Sequence, residues 1–328
     1  MISGLSSSRW HLTAIVLVVS AILLSPFYWV LMGSFSTPAE LFGTHLTLWP
    51  KHLAIENWSN ALARLWPHVT NSLIVSTTVS LCTLVLTVPA AYALVWLRPR
   101  GGKLLFNFLL VTQMLPAIVF VVPLFVLFSQ ANLVNNLFGL ALADMTFTVP
   151  FALIMLCAYV KDLPYELVES ALVDGATQFR SFIAIVLPLT LPGIITVGIF
   201  SFLIPWADLI YALSLVTDET LQPLTLQLYR ALGQYGIDWS FLLPGSVLTS
   251  IPAVLFVIVA SRFILAGEVR RRRRKIPGNF SSNTNGNPAS SIGAGSRRPS
   301  TQGVGYEDQI DSIEELALKG IGLHSAKT

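Results

Sequence analysis

Six stretches of this chain are each long and apolar enough to cross a lipid bilayer. A spanning helix needs about 20 consecutive apolar residues to traverse a hydrocarbon core of roughly 30 Å. Such runs occur at Leu12–Gly33, Asn71–Leu97, Leu104–Phe128, Leu137–Val160, Leu191–Val216 and Leu243–Ala266. Backbone polar groups in lipid must be satisfied within the chain, so these runs are expected to be helical. The fold class that follows is all-α, a polytopic membrane protein with six transmembrane helices. Composition agrees, because 54% of the 328 residues are hydrophobic and only 11% are charged, against about a quarter charged in soluble domains. The first run has Arg9 as a charged flank, as a signal peptide would. It is too long for a signal core and no small-x-small cleavage site follows, so it reads as an uncleaved span.

Charge then orients the spans. Arg9, Arg98, Arg100, Lys103, Lys161, Arg180, Arg262 and ten basic residues from Arg270 onward fall on one side, against Lys51, Arg64 and Arg230 on the other. Short cytoplasmic loops carry the excess of Lys and Arg. Both termini and residues 161–190 are therefore expected in the cytoplasm. The expected organisation is a cytoplasmic N-terminus at 1–11, a six-span domain at 12–267 and a basic tail at 268–328. Prolines recur at membrane depth, at Pro89, Pro116, Pro123, Pro150, Pro205 and Pro252. Each removes a backbone donor and bends its helix, which a bundle tolerates where neighbours satisfy the freed carbonyl.

Between two of the most apolar runs lies "ESALVDGATQFRSFIAIVLP", residues 169–188, a polar cassette with its own helix signals. Asp162 is expected to cap a helix beginning near Pro164, with Leu167, Ala171 and Leu172 on its apolar face. Gly175 supplies a positive-φ position that ends it. Thr177 is expected to cap a second helix with Phe179, Phe182, Ile183 and Val186 at i, i+3, i+4 and i+7. Pro188 is expected to stop or kink that helix before the fifth span. Two short helices with an apolar face require a surface to cover them. Either the ends of the spans or a second protein would serve.

The cassette resembles the EAA loop of permease subunits of bacterial binding-protein-dependent ABC importers, in which Glu-Ala-Ala is followed by Gly and, farther on, by Ile-x-Leu-Pro. Glu169, Ala171, Gly175, Ile185, Leu187 and Pro188 fall at that spacing, with Ser170 in place of the usual Ala. Flanking stretches resemble the carbohydrate branch, and within it the maltose-type second permease. They are "LSPFYWVLMGSFSTPAELF" at 24–42, "NWSNAL", "PHVTNSLIVS", "FLIPWADLIYAL" at 202–213 with Ala207 for Asn, and "GSVLTSIPAVLFVIVASRFILAG" at 245–267. The likeness ends near Gly267.

The resemblance implies ATP-driven import of a sugar or sugar-like solute across the bacterial inner membrane. It also implies a second homologous permease, a cytoplasmic ATPase dimer and an extracytoplasmic solute-binding protein as partners. Glu169, Ser170, Ala171, Asp174, Gly175, Ile185, Leu187 and Pro188 would then couple to the ATPase, with ATP and Mg held by that partner. No G-x-x-x-x-G-K-[ST] loop occurs in this chain, so no phosphate cradle of its own is expected. No H-E-x-x-H, G-x-S-x-G or paired Cys-x-x-Cys occurs, which removes the common hydrolase and metal patterns. Neither a metal nor a catalytic residue is expected. Cys82 and Cys157 lie in apolar runs and read as packing residues.

Acids within spans are functional by default, which singles out Asp208 and, with lower weight, Asp144. Trp206 and Tyr211 flank Asp208 as aromatic platforms for a sugar would, although interface belts have the same composition. An ion-coupled secondary carrier is the rival reading. It needs buried titratable groups and inverted repeats, and the chain supplies few of the first and none of the second. In the tail, "RRRRRK" reads as a topology anchor and a contact for anionic membrane lipid rather than for nucleic acid. Residues 277–305 have a disorder-like composition.

Overall fold

The computed structural model describes residues 7–43, 49–233 and 237–274, and every regular element among them is helical. The elements are α1 Ser7–Gly33, α2 Pro38–Leu41, α3 Ile55–Tyr92, α4 Gly102–Gln113, α5 Ile118–Gln130, α6 Leu137–Lys161, α7 Glu166–Val173, α8 Gln178–Ser181, α9 Leu187–Trp206, α10 Ile210–Leu215, α11 Leu224–Arg230 and α12 Trp239–Arg274. Five helices are long and apolar enough to cross a membrane, and the bent pair α4–α5 gives the sixth crossing if it is counted as one.

The packed centre is α3, α6 and α9. Lipid tails are as apolar as leucine, so helices in a membrane associate by close packing of small residues and by hydrogen bonds. Ala91, Ala143, Ala152 and Val197 are fully buried here. Ser80 on α3 donates to the Gly198 carbonyl on α9 at 2.9 Å. At Gly193 of α9 the Tyr159 ring of α6 lies where a Cβ would be, 2.6 Å from its ideal position. In contrast, α1 is exposed along most of its length and meets α12 only near its end, where Gly33 is buried beside Leu243. The segment after it is tied to the start of α3, where Trp58 stacks on Phe35 at 5.5 Å and donates to the Ser34 hydroxyl.

Four boundaries differ from the sequence expectation. The second helix begins at Ile55 rather than Asn71, because the "NWSNAL" segment is itself helical. The third run is not one helix: α4 and α5 meet at a bend of 107° around Pro116. Proline disfavours helical geometry in the residue before it and contributes no N–H. At twelve residues, α4 is about 18 Å long, short of the roughly 30 Å hydrocarbon core. The Gln113 side chain anchors the break by donating to the Phe147 carbonyl of α6 at 2.9 Å. The fifth run begins at Gln178, ends at Trp206 and resumes as the short α10. The last helix continues through Arg274 instead of stopping near Ala266, and the rest of the tail lies outside the described residues.

Segments far apart in sequence close the end opposite the cassette. Asn135, at φ 53°, accepts from the Thr217 and Asp218 amides at 2.6 and 3.0 Å and donates to the Thr217 hydroxyl. Asn71 donates to the Thr220 and Gln222 carbonyls, and the Ser72 hydroxyl accepts from the Leu224 amide. These bonds fold residues 217–230 back onto α3.

Candidate functional site

The cassette forms the two-helix unit its local signals predict. Helix α7 ends in a Schellman motif, in which the Ala176 amide donates to the Ala171 carbonyl at 2.9 Å and the Gly175 amide to Leu172 at 3.1 Å. Gly175 has φ +87°, a region costly to any residue with a Cβ. The Thr177 hydroxyl then accepts from the Arg180 amide at 3.3 Å, capping α8. Glu166 and Glu169 occupy the first turn of α7, where carboxylates complement the helix dipole.

Two expected details are corrected. Asp162 is the C-cap residue of α6, and Tyr165 holds the N-cap position of α7. Pro188 does not stop the second helix. A π turn at Phe182–Val186 carries α8 into α9, with the Leu187 amide donating to the Phe182 carbonyl. Widening the turn relieves the clash of a proline ring with the carbonyl one turn earlier. The second half of the cassette is therefore the rigid end of the fifth span.

The apolar residues of the cassette divide into two faces. Val168 and Val186 are each 1% exposed, and they pack with Leu163, Leu172 and Phe182 against Tyr92 and Trp96 at the end of α3. The Tyr92 hydroxyl donates to Gln178 Oε1 at 2.7 Å. Its ring lies 5.0 Å from Phe182 and 5.5 Å from Trp96, which in turn meets Tyr165 at 5.7 Å. Leu167, Val173, Phe179 and Ile183 remain exposed, Val173 at 87% and Phe179 at 71%. Glu169, Ser170, Asp174, Gly175 and Pro188 are exposed beside them, whereas Ala171, Ile185 and Leu187 are half-buried. Tyr92 and Trp96 were not singled out from the sequence. Their signal is an aromatic pair at i, i+4 just ahead of the basic Arg98–Lys103 turn.

The four residues expected on a solute path separate. Asp144 on α6 is 2% exposed, and its Oδ2 has no hydrogen-bond partner among the described residues. Tyr211 is buried with its hydroxyl 3.5 Å from Thr146 Oγ1 on α6, two residues along from Asp144. Asp208 lies at the break between α9 and α10, where its carboxylate accepts from the Ile210, Tyr211 and Ala212 amides at 3.1, 3.4 and 3.0 Å. Trp206 faces elsewhere: its indole donates to the Thr249 carbonyl of α12 at 2.9 Å and stacks on Phe202. The structure thus joins Asp208 to Tyr211, sets the Tyr211 hydroxyl against the α6 turn that carries Asp144, and turns Trp206 toward α12. No group of three metal-ligating side chains occurs among the described residues.

Residues 83–274, which include the cassette, α6 and α9, match the family described as binding-protein-dependent transport system inner membrane component. The chain belongs to this family of ABC importer permeases. Among its relatives, the diacetylchitobiose uptake system permease protein NgcG of Streptomyces coelicolor is 32% identical over 260 residues, covering 78% of this chain and 85% of that protein. The trehalose/maltose transport system permease protein MalG of Thermococcus litoralis is 28% identical over 266 residues, covering 78% and 95%. In fold, this permease is similar to a chain of a bacterial ABC transporter involved in alginate import, with a TM-score of 0.69 at 19% identity, over 80% of this chain and 98% of that one. The family match reaches residue 274, beyond the expected limit near Gly267.

Proposed function

We infer that this permease carries a sugar or sugar-like solute into the cytoplasm and is driven through residues 161–190 by a separate ATPase. The observation that carries the coupling role is the division of the cassette into two apolar faces. One is buried on Tyr92 and Trp96, which makes the unit rigid. The other presents Leu167, Val173, Phe179 and Ile183 to a partner, with Glu169 and Asp174 beside them. A rigid projection continuous with α9 transmits force from that face directly into the bundle. ATP and Mg reside on the partner dimer, a second permease completes the path, and an extracytoplasmic binding protein delivers the solute. The relatives that transport diacetylchitobiose, trehalose and maltose, by their names, support a carbohydrate. The basic-side bias supports cytoplasmic termini.

The test is a Phe179→Asp subunit purified with its partners. The buried face is untouched, so membrane abundance is expected to stay normal while ATPase retention and binding-protein-stimulated hydrolysis fall. Full stimulation in that complex would remove the cassette as the coupling element. The solute class is tested by the sugar that raises the melting temperature of the partner binding protein.

A further inference from the structure

A groove opens between the basic ends of α3, α4 and α6, next to the cassette but separate from its exposed face. Local geometry builds it. A π turn at Ala93–Leu97 ends α3 at Arg98, φ 46°, and Gly101, φ +87°, turns the chain sharply into α4. Beside the last turn of α6 this leaves a cavity of about 480 Å³, within the roughly 300–1,000 Å³ typical of small-molecule sites. Its walls are apolar, formed by Leu94, Val95, Phe106, Ile154 and Ala158. Its rim is cationic. Lys103 on α4 and Lys161 on α6 line both this cavity and its wider mouth, where Arg98 joins them. Asn107, one turn beyond Lys103, places an amide just inside.

Among the described residues, no carboxylate pairs with the cations of the rim. The ion pair found among the described residues is Arg64–Asp238, on other elements, and the Arg98 Nε donates only to the Val95 carbonyl, at 3.3 Å. Three positive side chains around one opening repel one another unless an anion lies between them. A soluble anion would satisfy the rim but leave the apolar walls uncovered. From Lys161 down to Ile154 the groove follows α6 for about 10 Å, into the depth occupied by lipid tails. Lysine side chains at such a level extend their ammonium groups to the water boundary and rest their stems on apolar surface. An occupant with an anionic head and a hydrocarbon tail meets both requirements.

We propose that the groove between the ends of α3, α4 and α6 binds one anionic phospholipid, its phosphate among Lys103, Lys161 and Arg98 and an acyl chain along Phe106 and Ile154. The site does not depend on the transported solute or on the coupling role of the cassette. It places a lipid headgroup beside Trp96 and Tyr165, which with Val95 and Leu163 line the adjoining cavity under the cassette. Lipid occupancy therefore supports the aromatic platform on which the cassette rests.

The experiment uses the full-length chain assembled with its partners in vesicles of equal phosphatidylglycerol and phosphatidylcholine with matched acyl chains. Phe106 is replaced by p-benzoylphenylalanine, and the photoadducts are identified by mass. Phosphatidylglycerol is expected to dominate the adducts. Each of Lys103→Gln and Lys161→Gln is expected to reduce that preference about fivefold, the usual worth of one basic side chain at a membrane surface. Lys103→Arg with Lys161→Arg is expected to retain it, which separates charge from folding. Equal capture of both lipids by the unaltered rim would overturn the proposal. Loss of lipid adducts when inorganic phosphate is present during irradiation would assign the rim to a soluble anion. An adduct to a partner polypeptide would make the groove a subunit interface.

Discussion

At residue scale, two glycines are held for different reasons, and two aspartates have unequal tasks. Space is open around a Cβ built on Gly175, so only its φ of +87° opposes substitution. Gly175→Val is expected to strain the turn by about 1–2 kcal/mol, lowering ATPase retention on the purified complex while membrane abundance is preserved. Gly175→Asn, which tolerates the left-handed region, should recover most of that retention. Gly193 has ordinary backbone geometry but no room beside the Tyr159 ring. Gly193→Ala is expected to destabilise the α6–α9 contact by about 1–3 kcal/mol, seen as a lower melting temperature in detergent. Asp208 spends its carboxylate on three amides, so Asp208→Ala should cost about 1–3 kcal/mol by leaving them unpaired. Asp144 Oδ2 is buried with no partner among the described residues, and a buried polar group without one calls for an explanation. Asp144→Asn is expected to leave melting unchanged or higher and to lower solute uptake. Normal uptake in that variant would make Asp144 a packing residue.

At element scale, the cassette pairs the short α7, seated on the aromatic platform that ends α3, with the short α8, which runs on into α9. Helices this short are marginal alone, so their order depends on the Schellman turn, the Thr177 cap and the seat on Tyr92 and Trp96. Val168→Asp would bury an unpaired charge against Tyr92. It is expected to lower the abundance of the whole subunit, unlike Phe179→Asp on the opposite face. Thr177→Ala is expected to cost about 1 kcal/mol of cap energy, and Tyr92→Phe about as much through the lost bond to Gln178. Both should increase proteolysis near Gly175 in membrane vesicles. Equal protection of these variants and the unaltered chain would mean that a partner alone holds the cassette in place. The α4–α5 bend is a second such element: a broken helix at membrane depth is tolerated where its backbone faces protein or a cavity, and Gln113 supplies the protein contact.

At the scale of the whole molecule, a bundle centred on α3, α6 and α9 is flanked by α1, which is exposed along most of its length. An exposed apolar helix is stable in lipid or against a second apolar surface, and the second permease proposed above would provide the latter. The topology assigned from charge is tested by single-cysteine labelling in a cysteine-free background. A cysteine at Lys51 should react with impermeant reagent from outside, and one at Gln178 only after the membrane is opened. Labelling at Gln178 from outside would invert the chain and exclude a cytoplasmic ATPase as the partner of the cassette. Stopping the chain after Lys275 retains the whole region matched by the family, and near-normal uptake is expected.

The sequence alone determined where the apolar helices lie and how the cassette turns, because both depend on neighbours along the chain. Hydrophobic runs need only local composition, and Gly175 and Thr177 act through φ and a bond three residues away. The position of Pro116 was visible too, although a 107° bend was not, since proline in a bundle can equally produce a mild kink. Tertiary structure decided the rest. Whether Leu172 or Leu167 faced the bundle depended on Tyr92 and Trp96, some seventy residues earlier. The same holds for the two aspartates, alike in sequence as acids within apolar runs. One meets three amides freed by a helix break, the other a closed interior between α6 and its neighbours, and only packing across the bundle distinguishes those surroundings.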